Sequence, residues 1–378
     1  MASKNPKVVI VADWLTNMGG AENVVLALAE AFPGAPIYTS TYVPSAMPAF
    51  AKYDVRTTYL QRLPKPLRKL HKFFPMLRIN AFQQLDLSEF DIIISSSSAE
   101  AKQVKKTRAE QVHICYCHTP IRYYWSHYNE YKADPGFGKL NWLVRLFMPL
   151  LIPALKRSDY EAAQKVDLFI ANSTESQKRI TRYYGRPSTV INPPVDVNRF
   201  EPTKERADYY VTTGRQVPYK HHDLVIEAAA KLDIPLKVFG NGSENERLRT
   251  LAGSKTTFYT DRFGDASDDA LTAALNQARG FIYAAEEDFG IVSVEALAAG
   301  SPVIAYGAGG ALDIVQSGES GILFDEQTVK AVADAIKKAE SLDFHPSTLR
   351  RKARRFDKQL FMTKIHKVIH DTYRSKNT

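Results

Sequence analysis

Short apolar runs alternate with longer amphipathic stretches along most of the chain. Residues 7–13, KVVIVAD, read as a buried strand, because a run rich in valine and isoleucine has no polar face to turn to water. Residues 21–32, AENVVLALAEAF, carry apolar side chains at helical spacing. The strand series continues through IYTS, VRTTYL, DIIISSSS, HICYCH and LFIANS up to residue 173. A proline-rich connection at residues 190–206, VINPPVDVNRFEPTKER, interrupts it. The pattern then restarts, with strands at 209–215 (YYVTTGR), PLKVFG, TTFYT, GFIYAA and PVIAYG, and a helix at LVIEAAAKL. The expected fold is α/β, with two doubly wound, Rossmann-like domains facing across a cleft. Their expected bounds are 1–192 and 206–355, with a linker at 193–205 and a helical, basic segment at 356–378 that packs back toward the first domain.

Composition narrows the partners. The 378 residues are 44% hydrophobic and 24% charged, as in a soluble globular protein, and the formal net charge is 50 − 41 = +9. That favours an anionic partner: a phosphorylated ligand, an anionic membrane surface or nucleic acid. The cations form no familiar nucleic-acid module and the aromatics no stacking platform, so no nucleic acid is expected. Two cysteines imply no disulfide framework, and a cytoplasmic location is the default. No signal peptide is read at the start. The most apolar stretch, residues 140–155, contains Arg145, Pro149 and Pro153 and falls short of the roughly 20 residues a membrane span needs.

In doubly wound sheets ligands bind beyond the carboxyl ends of the strands, so the loops there carry the chemical reading. In EEDFGIVSVEALAAG, residues 286–300, Glu287 precedes a helix and Glu295 lies within it. A continuous helix would hold them about 12 Å apart, too far to share a proton and suited to one elongated polar ligand touched at two places. The N–H groups of Phe289, Gly290 and Ile291 lie between, where a helix start favours a phosphate; an acidic surface helix is the plain alternative. In TNMGGAEN, Gly19 and Gly20 let the backbone approach a ligand, or simply make a strand–helix turn. In TTGRQVPYK, Arg215 and Lys220 can meet on one diphosphate, or stand apart as surface cations. FGNGSENERL, with Gly240, and GAGGALDIV repeat the glycine-loop logic without completing a dinucleotide fingerprint. His113, Cys115, Cys117 and His118 tempt a metal reading. Strand alternation turns His118 away from the other three, so core cysteines are expected, with His118 at a strand end.

Taken in order, GGAE, CHTP, NS, GRxxxxK, FGNGxE, EEDFGIVSVEALAAGSPVIAY and the GAGG loop run nearly the full length. The chain thereby resembles the retaining GT-B glycosyltransferases of family 4, those with the E-x7-E motif. CHTPIRYYWSHYNEY and the apolar 140–155 segment resemble the branch that builds cell-surface polysaccharides from GDP-mannose.

The resemblance implies roles. The first domain would be the acceptor side and the second would bind the nucleotide-sugar. Glu295 would hold the ribose hydroxyls, Glu287 the hydroxyls of the donor sugar. Arg215 and Lys220 would neutralise the diphosphate, with a backbone N–H of Gly19 or Gly20 against it. Asp288, Phe289, Gly290 and Ile291 would line the sugar through backbone amides. His118 would contact the sugar, Gly240 would lie at the donor, and Arg262 and Phe263 would flank the base. Transfer of a hexose, mannose from GDP-mannose or a sugar from a UDP-linked donor, would proceed with retention. No D-x-D occurs, so no metal and no cofactor are expected. One departure stands out: many relatives have glycine after the loop lysine, and here it is His221.

Residues 62–78, RLPKPLRKLHKFFPMLR, supply Arg62, Lys65, Arg68, Lys69, Lys72 and Arg78 with large apolar residues between them and no acid. This reads as a basic amphipathic element for an anionic bilayer, or as an ordinary solvated helix face. With Tyr123 and Trp125, which can stack on sugars or pack, it points to a lipid-linked or glycan acceptor. The expected location is peripheral, on the inner face of the plasma membrane.

Overall fold

The computed structural model describes residues 6–377 apart from 65–67, 69–73, 127, 129–140, 204 and 262–265, and over 141–148 the backbone alone. The chain divides into two compact units, Met1–Pro194 with Phe361–Thr378, and Val195–Leu360.

The first unit is built on seven parallel strands: β1 (Val8–Ala12), β2 (Ile37–Thr39), β3 (Val55–Thr57), β4 (Ile92–Ser97), β5 (Val112–Cys117), β6 (Leu168–Ala171) and β7 (Ser188–Val190). Their order is β3-β2-β1-β4-β5-β6-β7, so the direction of winding reverses between β1 and β4. In register, Ile10 lies beside Ile37 on one side and Ile94 on the other. That row faces the helices Gly20–Ala31 and Lys358–Asn377, the latter contributing Phe361, Ile365, Ile369 and Tyr373 to one core. The opposite face buries Val9, Val11 and Ile93 against Phe82, Leu87 and Phe90. Strands apolar on both faces are what a parallel sheet under two helical layers requires.

The second unit repeats the plan with β8 (Tyr210–Thr213), β9 (Leu236–Phe239), β10 (Thr256–Tyr259), β11 (Gly280–Tyr283), β12 (Val303–Tyr306) and β13 (Gly321–Phe324), in the order β10-β9-β8-β11-β12-β13. Winding reverses here between β8 and β11. β7 and β13 are additions to the strands read from sequence. The stretch at 193–205 also differs from a linker: Val195, Val197 and Phe200 are buried in the second unit's core, and Val195 bridges to Asp357. Its prolines hide an apolar face.

Candidate functional site

The reversal in the second sheet opens the loops after β8 and β11. The first of these meets the loop after β9 backbone to backbone. A Cβ on Gly240, whose φ is +105°, would lie 2.2 Å from the Gly214 carbonyl oxygen, and one on Gly242 2.2 Å from that of Gln216. What the absent side chain at Gly240 accommodates is therefore the neighbouring loop. Gln216 fastens the pair by donating to the Gly240 carbonyl at 2.8 Å.

The two cations follow. Arg215 is exposed and donates to the Tyr219 hydroxyl at 2.7 Å. Lys220 lies 5.1 Å from the centre of the same ring, so Tyr219 joins them. Lys220 donates to the Tyr283 hydroxyl at 3.0 Å and is ion-paired with Glu287, to which Tyr283 also donates. Lys220 closes a short turn, and His221 after it sits at φ +51°, ψ +37°. Glycine holds that left-handed conformation without strain, whereas a side chain there costs roughly 1 kcal/mol. His222 then turns inward and lies buried against Gly214. Burial first, and Lys220 second, push its pKa down to about 4, so the ring is neutral.

The loop after β11 is held from several sides. Gly290 takes φ +92° and leads into the helix Ile291–Ala298. Phe289 is buried against Phe356, with ring centres 5.5 Å apart. Gly310 donates its N–H to the Glu287 carbonyl at 2.8 Å. A Cβ on Gly309 would come within 2.2 Å of that carbonyl, and one on Gly310 within 2.2 Å of the Phe289 Cα. The GAGG loop after β12 is thus the cradle of the glutamate loop. Among the described residues no hydrogen bond engages the N–H groups of Phe289, Gly290 or Ile291, which lie at the positive end of the helix dipole. Asp288 sits half-buried in the same loop. Glu295, one turn further on, is ion-paired with Arg199 at 2.8 Å. Behind the helix, Arg206 donates to the carbonyls of Ala299 (2.9 Å) and Gly300, and to Asn276 (2.9 Å) at the end of the helix Asp268–Gln277. Burial lowers the Arg206 pKa to about 10.

The structure thus joins Lys220 with Glu287 and brings Arg215 close through Tyr219. Tyr283, Tyr219, Arg199 and the cradle role of Gly309 and Gly310 were missed in the sequence. The paired glycines of GAGG were the available signal for the last. Arg262 and Phe263 lie outside the described residues.

In the first unit, Gly19 and Gly20 are exposed at the start of the helix Gly20–Ala31, as the glycine loop predicts. His118 is buried at the end of β5, its Nε2 2.8 Å from the Ser96 hydroxyl and its ring 5.2 Å from Tyr116. Cys115 and Cys117 are buried free thiols packed with Phe169 and Tyr184. At the reversal itself, buried Asp13 accepts from the N–H groups of Ser98 (2.7 Å), Ala99 (2.9 Å) and Ala101 (2.7 Å) and from the Ser98 hydroxyl (3.2 Å).

Arg78 is a correction. Expected on a membrane face, it is 1% exposed and forms a forked pair with Glu100 at 2.6 and 2.8 Å. The buried Glu100 carboxylate takes the guanidinium inward, because a buried charge left without its partner costs several kcal/mol. Tyr123 donates to Glu100 at 2.9 Å and Trp125 to Asp159 at 2.8 Å, so both are fastened into the fold rather than standing free. Arg62 is exposed, and Arg68 donates to the Gln61 carbonyl. Lys65, Lys69 and Lys72 lie outside the described residues. Among the described residues no three His, Cys, Asp or Glu side chains are grouped to hold a metal ion, and no helix is long and apolar enough to cross a membrane.

The sequence matches the family model Glycosyltransferase Family 4 over residues 18–199 and the model Glycosyl transferases group 1 over residues 195–356. Its fold matches Anabaena HepE, solved with UDP and glucose, at TM-score 0.69 and 18% identity, over 97% of this chain and 100% of that one. These matches support a GT-B glycosyltransferase of group 1 and family 4. The same GT-B fold aligns with sucrose-phosphate synthase from Thermosynechococcus elongatus at TM-score 0.72 and 16% identity, over 98% and 100% of the two chains. Among curated relatives, D-inositol 3-phosphate glycosyltransferase of Rhodococcus opacus is 29% identical over 52% of this chain and 50% of its own. The Corynebacterium glutamicum protein of the same name is 23% identical over 79% and 82%. The match thus spans about half the length of the first of these relatives.

Proposed function

We propose that the protein is a retaining hexosyltransferase that takes mannose from GDP-mannose and passes it to a lipid-linked or cell-surface glycan acceptor. The observation that carries the reading is the cluster of Lys220, Glu287 and Tyr283, with Arg215 beside it, at the strand-order reversal of the second sheet. A departing nucleoside diphosphate develops negative charge on its bridging oxygen, and two cations together with a helix N-terminus oppose that charge where it forms. Lys220 is held by Glu287 and Tyr283, so it is aimed before the donor arrives. In this reading Glu287 exchanges part of its lysine contact for sugar hydroxyls, and Glu295 takes the ribose. The hexose becomes oxocarbenium-like as the diphosphate leaves, as in glycoside hydrolysis. Charge neutralisation by Arg215 and Lys220 needs no bridging metal. A UDP-linked sugar is the second donor, on the strength of HepE, whose structure was also solved with UDP-glucose.

The acceptor side of the proposal rests on the first unit. Phe74, Met76 and Leu77 are exposed where the helix Pro75–Gln83 begins, as are Leu150 and Leu151 on the helix Asn141–Lys165. The two helices share one core patch through Ile79, Ile152 and Leu155. Large exposed apolar side chains beside a run of cations suit the surface of an anionic bilayer, at its cytoplasmic face.

Thermal-shift titration with GDP, UDP, ADP and their sugar conjugates, on wild type and Glu295→Ala, tests the donor. A ligand at a hundred times its Kd stabilises the folded state by about 2.7 kcal/mol. A shift with GDP and GDP-mannose that is lost in the variant supports the reading. A shift with UDP alone moves the donor, and no shift with any nucleotide overturns it.

A further inference from the structure

Arg199 lies in the turn Val197–Arg199, just inside the second unit, far in sequence from the glutamate it meets. Asp196 caps that turn by accepting from the Asn198 N–H, and Phe200 after it is fully buried in the core. The Arg199 guanidinium lies 4.7 Å from the centre of the Phe200 ring. Its position is therefore set on both sides before it reaches Glu295. The contact runs from an Arg199 terminal nitrogen to Glu295 Oε1 at 2.8 Å, and no hydrogen bond among the described residues reaches Oε2. The arginine side chain is 37% exposed and that of the glutamate 12%.

The surroundings of Glu295 resist a negative charge. Burial disfavours the ionised carboxyl, Arg199 favours it, and Asp268 from the first turn of the helix Asp268–Gln277 disfavours it again. Those are the two charges that act on it among the described residues. The helix Pro346–Ala353, the turn Ala311–Ile314, β11 and β12, which also pack against its helix, bring no further charge to bear. A protonated carboxyl would turn one of its oxygens into a donor and lose acceptor capacity for a ribose hydroxyl.

We propose that Arg199 is a positioning residue of the nucleotide site. Its guanidinium holds the Glu295 carboxylate ionised and in one orientation, with Oε2 left to accept from a ribose hydroxyl. The proposal rests on the nucleotide-sugar reading above.

Calorimetric titration of the full chain with GDP, with UDP and with inorganic pyrophosphate, from pH 5 to pH 8, tests it on Arg199→Met and Arg199→Lys. Losing a hydrogen-bond partner of a charged group predicts nucleotide binding weaker by about ten- to a hundredfold in Arg199→Met. The acid limb of its pH profile moves to higher pH, because Glu295 then protonates more readily. Arg199→Lys restores most of the affinity and the profile. Pyrophosphate, which has no ribose, binds both variants as it binds the wild type. The nucleotide's own terminal phosphate titrates in this range, and comparing variants at each pH cancels it. A uniform loss that includes pyrophosphate, or a pH profile unchanged in Arg199→Met, overturns the proposal and leaves the donor reading standing. A wild type that binds neither nucleotide overturns both.

Discussion

The strand order reverses once in each sheet, and the two reversals are furnished differently. Between β1 and β4 the carboxylate of Asp13 is closed off: three backbone N–H groups and a hydroxyl converge on it and tie the loop after β4 to the end of β1. Beside it, Arg78 and Glu100 neutralise each other with both side chains 1% exposed. Between β8 and β11 the equivalent charges stay partly open. The Lys220 side chain is 11% exposed and that of Glu287 22%, with exposed Arg215 nearby. A buried charge must be satisfied by the fold, since leaving it unpaired costs several kcal/mol. A half-open pair can trade one partner for a ligand at little cost. The same topology thus carries a sealed strut in one unit and a half-open charge cluster in the other.

The strongest way to break this contrast is to open the strut. Arg78→Met leaves Glu100 buried without its cation and is expected to lower unfolding free energy by about 3–5 kcal/mol, read by urea denaturation. Anionic liposome binding per folded molecule should stay unchanged, since Arg78 does not reach the surface. Lys220→Ala is the matching change in the site. It is expected to cost about a hundred- to a thousandfold in turnover of the donor while the melting temperature moves little. A large loss of stability there would make the second reversal another strut. Gly309→Ala sharpens the picture by pushing a Cβ into the Glu287 carbonyl at φ +60°. Overpacking of that kind costs about 1–3 kcal/mol, and donor KM should rise with it as the glutamate loop shifts.

The smallest effect near neutrality is a pH dependence. His222 titrates near 4 and His113, buried and bonded to Ser95, near 3 when folded, both well below the usual histidine value. The unfolded chain takes up these protons first, so the stability each contributes is full above about pH 6.5 and is lost as the pH falls toward the folded value. Between pH 7 and pH 6 the loss is about 0.7 kcal/mol per histidine. Chemical denaturation of His222→Phe should fall off less steeply with acid than the wild type.

What could be read in advance follows the physics of range. Apolar runs such as 7–13 and 280–285 announce strands because burial on both faces leaves no other use for them. β7 and β13 escaped although STV and GILF are as long as strands that were read, such as IYT and LFIA, so length is not what hid them. EEDFG before IVSVEALA placed Glu287 and Glu295 correctly on loop and helix, a local matter. Arg78 was misplaced because its partner, Glu100, lies 22 residues away and its neighbours in sequence are cations and large apolar groups. Arg199 and Tyr283 carry no local mark at all. Their value comes from residues brought together by the sheet, 96 apart for Arg199 and Glu295 and 63 apart for Tyr283 and Lys220.

The helix Lys358–Asn377 completes the core of the first unit from Phe361 onward, although the second unit is encoded before that residue. On a ribosome the second unit, residues 195–360, is therefore continuous and can fold as it emerges. The first unit must wait, with Ile10, Leu28 and Tyr116 missing their late partners Phe361, Ile365 and Ile369. Through that interval its apolar parallel strands are exposed to association with other nascent chains, so the hazard in synthesising this protein falls on the half that is made first.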